Sequence, residues 1–279
     1  MLSNQEKVFT KKAASAFGLR VDGRDCLALR PLSVRAGCFP GAAGSAAVGV
    51  GGGSLVTVRV DVALGQLSDE PVSCTLVAPS LSATVNAVVR RALSSLAASL
   101  SAEAAPGAPP LALTVTVAHP DADPPVNAVG VSLWVALRNT RIPHMSEEMT
   151  RERDGDGGRT VARVVVSPAV ADSVPLVPDS VEVPLILSVH RIDGMLMLDA
   201  TETEIACADA GLLLALLPAS GTVVATQTLA PTTLRLAEVQ TAVSHARSAT
   251  ASLAPAIIEA QRSAVGGGQT PDYLLTVEH

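Results

Sequence analysis

The alternation of apolar and polar positions predicts a β-hairpin in the first quarter of the chain. Over residues 54–64, Val56, Val58, Val60 and Val62 alternate with mostly polar positions, which is the period of a half-buried strand. Three glycines at 51–53 separate this run from a second β-type run at 44–50, as in a hairpin turn. A phosphate-cradling loop is the alternative interpretation. Because the glycines lead into a strand and lack a following Lys-Ser/Thr pair, we favour the turn.

Apolar residues recur at helical spacing in four segments, which predicts helices over residues 3–16, 81–104, 126–139 and 236–264. Further strands are predicted at 29–36, 111–118, 161–166, 181–190, 195–199, 206–217 and 222–228. Both halves of the chain run from strands to a helix. We therefore predict an α+β fold of two duplicated βα units, with mixed sheets and packed helices.

The same pattern predicts one globular unit with five segments along the chain. These are an N-terminal helical arm (1–18), a first half (19–146), a charged loop (147–160), a second half (161–264) and a flexible tail (265–279). The loop is predicted because the stretch from Glu147 to Arg159 is dense in charge and ends in glycines.

Composition narrows the class of protein. Hydrophobic residues make up 48% of the 279 residues and charged residues only 16%, where about a quarter is usual. No apolar run is long enough for a spanning helix, and the first twelve residues are polar, so we expect no membrane partner and no secretion signal. The four cysteines show no close pairing, which is typical of reduced thiols in an intracellular protein.

The net charge of −6 and the presence of only five aromatic residues limit how the chain could bind nucleic acid. An acidic protein does not hold DNA or RNA through its overall field, and we expect no DNA partner. Base stacking needs exposed aromatic side chains, which are scarce here. Any contact with RNA would therefore come from a local group of arginines.

One such group is Arg90-Arg91, on the predicted helix 81–104. The guanidinium fork fits phosphate oxygens, so the pair could clamp an RNA backbone. Adjacent helical residues point about 100° apart, so at most one of the two faces a given partner squarely. The alternative is a solvated helix flank.

Acidic residues follow the predicted strand 195–199: Asp199, Glu202, Glu204 and Asp209. Such a cluster could hold a metal ion or supply a general acid, or it could be a solvated turn between strands. His144 with Glu147 and Glu148 has the spacing of metal ligands on a helix, although a solvated loop is favoured there.

Covalent catalysis has no support in the sequence. The five histidines lie in no nucleophile motif, and Cys207 lies in an apolar run as a small buried hydrophobe. We expect no cofactor and no metal ion.

Five short stretches, in order, resemble the RNase PH-like subunits of the RNA exosome. They are residues 2–8 (LSNQEKV), 19–24 (LRVDGR), 44–46 (GSA), 139–143 (NTRIP) and 198–204 (LDATETE), the last followed by Ala206-Cys207. The resemblance runs from about residue 2 to residue 262. It implies the fold of duplicated βα units. Active members of this family degrade RNA from the 3′ end with phosphate as the attacking group.

The resemblance also implies that a catalytic site is missing. Active members have a Gly-Gly-Ser/Thr-Arg phosphate turn where this chain has Ala122, Asp123, Pro124 and Pro125, and each proline removes a backbone donor. They have two aspartates six residues apart. Asp199 occupies the first position, but Ile205 occupies the second and cannot exchange a proton or bind Mg²⁺.

What the resemblance implies is therefore a non-catalytic subunit of the exosome ring. Its expected partners are a catalytic-type sister subunit, other ring and cap subunits, and RNA in the assembled ring. Arg91 matches the first of two arginines that line the RNA path in related archaeal rings, whereas the second position is Ser94. The implied function is scaffolding and guiding RNA for 3′–5′ degradation and processing, including ribosomal RNA maturation, in the nucleus, nucleolus and cytoplasm.

Two other functions stay open from the residues alone. One is an active phosphate-dependent exoribonuclease that uses Asp199 with an unrecognised phosphate site. The other is an α+β scaffolding protein without contact to RNA. The aliphatic excess fits a ring subunit, because obligate interfaces are more apolar than ordinary surface.

Overall fold

The structure is a computed structural model that describes residues 3–51, 54–64, 71–105, 108–120, 124–152, 159–167, 172–229, 233–265 and 272–275. The helices are α1 (Asn4–Phe17), α2 (Ala83–Glu103), α3 (Val126–Arg138), α4 (Glu202–Ile205) and α5 (Leu236–Val265). The four helices predicted from the sequence are confirmed within a few residues at each end. The short helix α4 was not predicted.

Fourteen strands lie within the described residues. Those of the first half are β1 (Leu32–Ala36), β2 (Gly44–Val50), β3 (Ser54–Leu64), β4 (Val72–Val77), β5 (Leu111–Ala118), β6 (Arg141–Ile142) and β7 (Met145–Glu152). Those that follow are β8 (Arg159–Val166), β9 (Val174–Pro175), β10 (Leu185–Ile192), β11 (Met195–Leu198), β12 (Ala210–Leu216), β13 (Val223–Thr228) and β14 (Asp272–Leu275). The α+β class is confirmed.

The predicted hairpin is confirmed, because β2 pairs antiparallel with β3 from Gly44–Val60 to Val50–Ser54. Gly51 adopts a positive φ of 50° after β2, while Gly52 and Gly53 lie outside the described residues. The glycine run therefore joins two paired strands, and no helix begins after it as a phosphate loop would require.

Two predictions about irregular segments are wrong. The charged segment predicted as a loop contains β7, which pairs antiparallel with β8 from Met145–Val166 to Glu152–Arg159. Within the tail predicted as flexible, β14 pairs antiparallel with β1. Both strands form through pairing with a partner strand, which local hydropathy does not encode.

Two main sheets organise the molecule. The first has the order β14-β1-β2-β3-β5-β4 and is antiparallel apart from the parallel pair β4–β5, which α2 connects. The second has the order β11-β10-β12-β13 and is antiparallel throughout. Two short pairs, β6–β9 and β7–β8, lie outside them.

Helix α3 lies between the two sheets, packed on β1, β2 and β3 on one side and on β10 on the other. Eleven of its thirteen residues are buried, which explains a helix that is apolar all round. The opposite face of the second sheet carries α5: Ser188 of β10 bonds to α3, whereas Arg191, three residues on, pairs with Glu238 of α5. Helix α2 also contacts both sheets, β4 of the first and β12 and β13 of the second, and α5 contacts β14 of the first sheet as well.

Glycines allow α3 to approach both sheets closely. A Cβ at Gly130 would lie 2.0 Å from the carbonyl oxygen of Ile186 in β10. On the other side, a Cβ at Gly44 of β2 would lie 2.6 Å from the carbonyl oxygen of Ala136 in α3. Neither backbone neighbour can move away without separating a helix from a sheet, so these positions exclude any side chain.

Helix α1 joins the second half of the chain. Its capping box at Ser3 and Glu6 fixes where it begins. Its buried residue Ala14 packs in a small satellite core with Ile192, Met197 and Cys207. Lys11 donates to Asp209 at 2.6 Å and holds the helix there. In the described part of the chain, no helix has the length and apolar character needed to cross a membrane.

We predict that Gly130→Ala destabilises the protein by about 1–3 kcal/mol or more, because the new methyl group collides with backbone. Intrinsic helix propensity alone would favour alanine by about 1 kcal/mol, so the sign of the effect is diagnostic. Gly49→Ala is the matched control, since a Cβ there meets its nearest atom at an ordinary 3.7 Å. Urea unfolding of both variants measures the difference, and equal stabilities would contradict the close packing of α3.

Candidate functional site

The Asp199 carboxylate lies at the centre of a group of charged side chains between the two halves of the chain. Both oxygens are held by Arg30: Nη2 donates to Oδ1 at 2.7 Å, and Nε donates to Oδ2 at 2.9 Å. The Arg30 backbone N–H also donates to Oδ2, at 2.7 Å. Asn127 Nδ2 donates to Oδ1 at 3.0 Å, and Arg24 Nη1 lies 3.4 Å from Oδ2. The carboxylate is thus fully occupied by protein donors.

A second buried pair joins Arg20 to Glu204. Arg20 Nε and Nη2 donate to the two carboxylate oxygens at 3.0 and 2.7 Å, in the planar fork geometry that guanidinium favours. The remaining donors of Arg20 reach backbone carbonyls of Leu198, Asp199 and Ala28 at 2.9 to 3.2 Å. Both side chains are at most 1% exposed, so this pair is sealed from solvent.

Local structure places these groups. Thr201 and Glu204 form a capping box that begins α4 and turns the Glu204 carboxylate inward. Asp199 has a φ of 50°, a left-handed conformation that aspartate tolerates better than most residues, and its carbonyl accepts from Arg20 and Arg24. Asn127, in the first turn of α3, accepts at Oδ1 from the Ser188 N–H of β10 while donating to Asp199.

The charges in this cluster balance. Arg20, Arg24 and Arg30 face three carboxylates, those of Asp199, Glu204 and the partly exposed Asp22. Neither a spare cation for phosphate nor a spare carboxylate for a metal ion is left among them. No group of three or more histidine, cysteine or acidic side chains within the described ranges could hold a metal ion. We refer to these six residues as the ionic junction.

The pKa values of the junction are shifted toward the charged forms. Burial raises the pKa of Asp199, but hydrogen bonds and charge from Arg30 outweigh it, so that this pKa is lowered. The pKa of Glu204 is lowered in the same way: Arg20 and the Thr201 N–H outweigh burial. Each carboxylate is therefore stabilised in its charged form, which makes it a poor proton donor near neutral pH.

No family model and no curated protein matches the chain. An Archaeoglobus fulgidus exosome with RNA bound to its active site contains a chain 18% identical, with a TM-score of 0.63 over 90% of this chain and 97% of that one. An archaeal exosome core gives 15% identity and 0.58, covering 87% and 92%. Rice (Oryza sativa) Rrp46 gives 13% and 0.52, covering 83% and 94%.

The chain has the fold of an RNase PH-like exosome subunit. This agrees with the fold that the five sequence landmarks implied. Two of those landmarks, residues 19–24 and 198–204, supply most of the ionic junction, although they are far apart in sequence.

The structure shows the surroundings of Ile205, Pro124 and Pro125, at which the resemblance implies that catalytic groups are missing. Ile205 ends α4 and is 47% exposed, with an aliphatic side chain that offers no donor or acceptor. Pro125 is the N-cap of α3, which has no side-chain cap. Pro124 precedes it, and Ala122 and Asp123 lie outside the described residues. Both prolines lack the backbone N–H that a phosphate turn uses.

Two of the interpretations offered for the acidic cluster are wrong for its buried members. Asp199 and Glu204 are 3% and 1% exposed and ion-paired, so they are neither a solvated turn nor an open metal site. Asp209 pairs with Lys11 and accepts from the Asp193 N–H, which secures α1. Of the four residues, Glu202 alone is simply exposed.

Arg90 and Arg91 lie on α2, apart from the ionic junction. Arg90 donates to Asn86 Oδ1 at 2.8 Å and to the carbonyl of Leu76 in β4 at 3.3 Å. Arg91 donates one bond, at 3.4 Å, to the carbonyl of Thr226 in β13. The two adjacent arginines thus reach edge strands of different sheets. Both stay exposed, and Arg91 keeps more of its donors available for another partner.

The structure also shows the surroundings of Cys207 and His144. Cys207 is 2% exposed in the satellite core, as predicted for a small buried hydrophobe. His144 immediately precedes β7, so the helical spacing to Glu147 and Glu148 on which a metal site depended does not exist.

Sequence reasoning missed Arg30 and Asn127. The available signal was their isolation: Arg30 follows Leu27-Ala28-Leu29, and Asn127 is the second residue of an otherwise apolar helix. A polar residue that interrupts a buried apolar pattern needs a partner, because burial without one is costly.

We predict that Asp199→Ala destabilises the chain by about 3–5 kcal/mol, because it leaves the Arg30 guanidinium partly buried without its partner. The matched control is Asp61→Ala, which breaks the exposed Arg59–Asp61 pair and should change the free energy of unfolding by less than about 1 kcal/mol. Chemical denaturation measures both. A loss for Asp199→Ala no larger than that of the control would show that the junction contributes little.

We expect His190 to make the stability of the protein depend on pH. It lies on β10, is 5% exposed, and its Nδ1 has no hydrogen-bond partner among the residues that the structure describes. Burial lowers the pKa of His190 to about 4, opposed by the charges of Asp199 and Glu204. In the unfolded chain its pKa is about 6.5, so between pH 6.5 and 4 the unfolded state binds one more proton than the native state.

We therefore predict that stability falls by up to about 1.4 kcal/mol per pH unit as the pH drops below 6.5. The lowered pKa values of Asp199 and Glu204 add their own loss only as pH falls through and below about 4. Thermal unfolding of wild type and His190→Leu between pH 7 and 5 isolates the histidine. The variant should show a clearly flatter pH dependence in that range, and parallel curves would exclude His190 as the cause.

Proposed function

We propose that the chain is a catalytically inactive RNase PH-like subunit of an exosome ring. It scaffolds the complex with a catalytic-type sister subunit and other ring and cap subunits. It helps guide RNA for 3′–5′ degradation and processing, including ribosomal RNA maturation, in the nucleus, nucleolus and cytoplasm. The landmarks in its sequence resemble most the ring subunit called ribosomal RNA-processing protein forty-two.

The observation that supports this proposal most strongly is that the Asp199 carboxylate is buried and fully hydrogen-bonded. Its carboxylate accepts from Arg30, Asn127 and Arg24 and is 3% exposed. A group that acts as general acid or metal ligand must present a lone pair or a proton to the reacting atoms. Here both oxygens accept hydrogen bonds that join the halves of the chain. The carboxylate therefore has no lone pair left to bind a metal ion or to exchange a proton with a substrate.

Two further features support inactivity. Ile205 replaces the second aspartate with a side chain that has no polar atom, and Pro125 begins α3 where a phosphate turn would supply N–H donors. An active exoribonuclease would need to replace three separate functions with groups elsewhere. A scaffold without RNA contact is the remaining alternative, and the exposed Arg91 favours a subunit that touches RNA phosphates.

The proposal predicts that the purified chain releases no nucleoside diphosphate from RNA in phosphate buffer with Mg²⁺. It also predicts that the tagged chain, isolated from its own cells, brings RNase PH-like sister subunits in near-equal amounts. Thin-layer chromatography of labelled product and quantitative mass spectrometry are the measurements. Phosphorolysis by the pure chain would overturn the inactive assignment, and a chain isolated without such subunits would overturn the ring assignment.

For RNA contact, we predict that Arg91→Ala weakens ultraviolet crosslinking of RNA to this subunit in the assembled ring. It should also lower the salt dependence of RNA binding by about one ion equivalent, because one phosphate contact is lost. Arg247→Ala is the control: Arg247 is likewise exposed and donates to one backbone carbonyl, that of Gly221. If both variants crosslink RNA as the wild type does, Arg91 does not lie in the RNA path.

A further inference from the structure

Helix α1 is attached to the rest of the chain through few of its side chains. Of its fourteen residues, Thr10 and Ala14 are buried, and the others are half-buried or exposed. Its two phenylalanines, which could bury the largest area, are instead 73% exposed at Phe9 and 74% exposed at Phe17. Because apolar stabilisation is roughly proportional to the area removed from water, the apolar contact that holds α1 is weak.

The backbone groups at both ends of α1 are satisfied within the same segment. The capping box of Ser3 and Glu6 pairs the first N–H groups. At the other end, Gly18 adopts a left-handed φ of 61°, and the N–H groups of Gly18 and Leu19 donate to carbonyls of α1. Residues 3–19 can therefore leave the protein without stranding a buried backbone donor or acceptor.

One charged pair supplies the strongest bond between residues 3–19 and the rest of the chain. Lys11 Nζ donates to Asp209 Oδ1 at 2.6 Å. The two side chains are 37% and 31% exposed, so water and salt weaken their attraction. Within the described part of the chain, the other hydrogen bond across this boundary is a weak one at 3.8 Å, from the Cys26 thiol to the Gly18 carbonyl.

The chain is held firmly immediately after this weakly attached segment. The Arg20 side chain is fully buried and donates to both carboxylate oxygens of Glu204 and to two backbone carbonyls of the second half. Leu19, which precedes it, is 57% exposed. A mobile hinge needs residues that can change their backbone angles at low cost, and Gly18 meets that condition.

Helix α1 covers a small core that is separate from the main one. Ala14 packs with Ile192, Met197 and Cys207 in the satellite core, and none of these four residues belongs to the main core. Ile192, Met197 and Cys207 are at most 2% exposed. Removal of α1 would uncover them and leave the contacts of the main core intact. Such local openings cost less free energy than global unfolding.

We propose that residues 3–19 form a hinged arm, which opens at Gly18 and Leu19 and uncovers the satellite core while the two sheets stay folded. The Lys11–Asp209 pair is the latch that holds the arm closed. Because salt screens this pair, the open fraction of the arm rises with ionic strength. The device does not depend on the ring assignment or on contact with RNA.

Cys207 reports the opening of the arm, since its thiol is 2% exposed while the arm is closed. The test treats the full-length chain with iodoacetamide, which is uncharged, and follows the alkylation of Cys207 by mass spectrometry. The fluorescence of the buried Trp134 follows global unfolding. Below the unfolding transition, the alkylation rate should be nearly independent of urea, because opening exposes little surface. It should exceed the rate that global unfolding allows by at least about tenfold.

Lys11→Met removes the latch and should raise the alkylation rate of Cys207 by about two- to fivefold, as for a partly exposed ion pair. Lys12→Met is the matched control: Lys12 lies on the same helix, is exposed and has no ion pair in the described part of the chain. Its rate should equal that of the wild type. Raising the salt concentration from about 50 to about 500 mM should accelerate the wild type and leave Lys11→Met unchanged.

Asp209→Asn removes the same pair from the other side, while the asparagine oxygen can still accept from the Asp193 N–H. It should accelerate alkylation as Lys11→Met does, and the double variant should react no faster than either single variant. The proposal is overturned if alkylation depends on urea as steeply as the unfolding of Trp134 does. It is also overturned if Lys11→Met and Lys12→Met react at equal rates, if salt accelerates Lys11→Met as much as wild type, or if the two latch variants act additively.

Discussion

The ion pair between Arg30 and Asp199 is the interaction on which the arrangement of the two halves depends. Arg30 precedes β1 of the first sheet, and Asp199 follows β11 of the second. Asn127 of α3 bonds to the same carboxylate, so the central helix is included in the contact. Breaking such a pair leaves a guanidinium poorly solvated, which costs far more than the loss of an exposed ion pair.

The layered fold explains the unusual composition of the chain. Strand β10 contacts α3 and α5, and strand β12 contacts α2 and α5. Nearly every residue of the two strands is buried, and β12 accordingly consists of alanine, glycine and leucine alone. Helix α3 is apolar on all sides for the same reason. Much of the aliphatic excess thus lies in the core, in addition to any interface with neighbouring subunits.

The parts of the fold that were predictable are those in which burial follows a local period. The alternating valines of β3 and the apolar stripe of α2 fix those elements nearly to the residue. Strand β7 contains two adjacent glutamates and gives no such signal; it forms by pairing with β8. Strand β14 pairs with β1 across more than two hundred residues of sequence. Register between distant strands is a tertiary property that no short window contains.

The candidate site, like the fold, was predictable from the sequence only in part. The motifs around Arg20 and Asp199 were visible in the sequence, but their mutual contact, 179 residues apart, was not. From the sequence alone, Asp199 could be interpreted as a surviving catalytic group. In the structure, its bonds to Arg30 and Asn127 give it a structural role instead. A double-mutant cycle of Arg30→Met and Asp199→Leu, with stability measured by chemical denaturation, tests this account most directly. A coupling free energy of about 2 kcal/mol or more is predicted, and one below about 0.5 kcal/mol would contradict it.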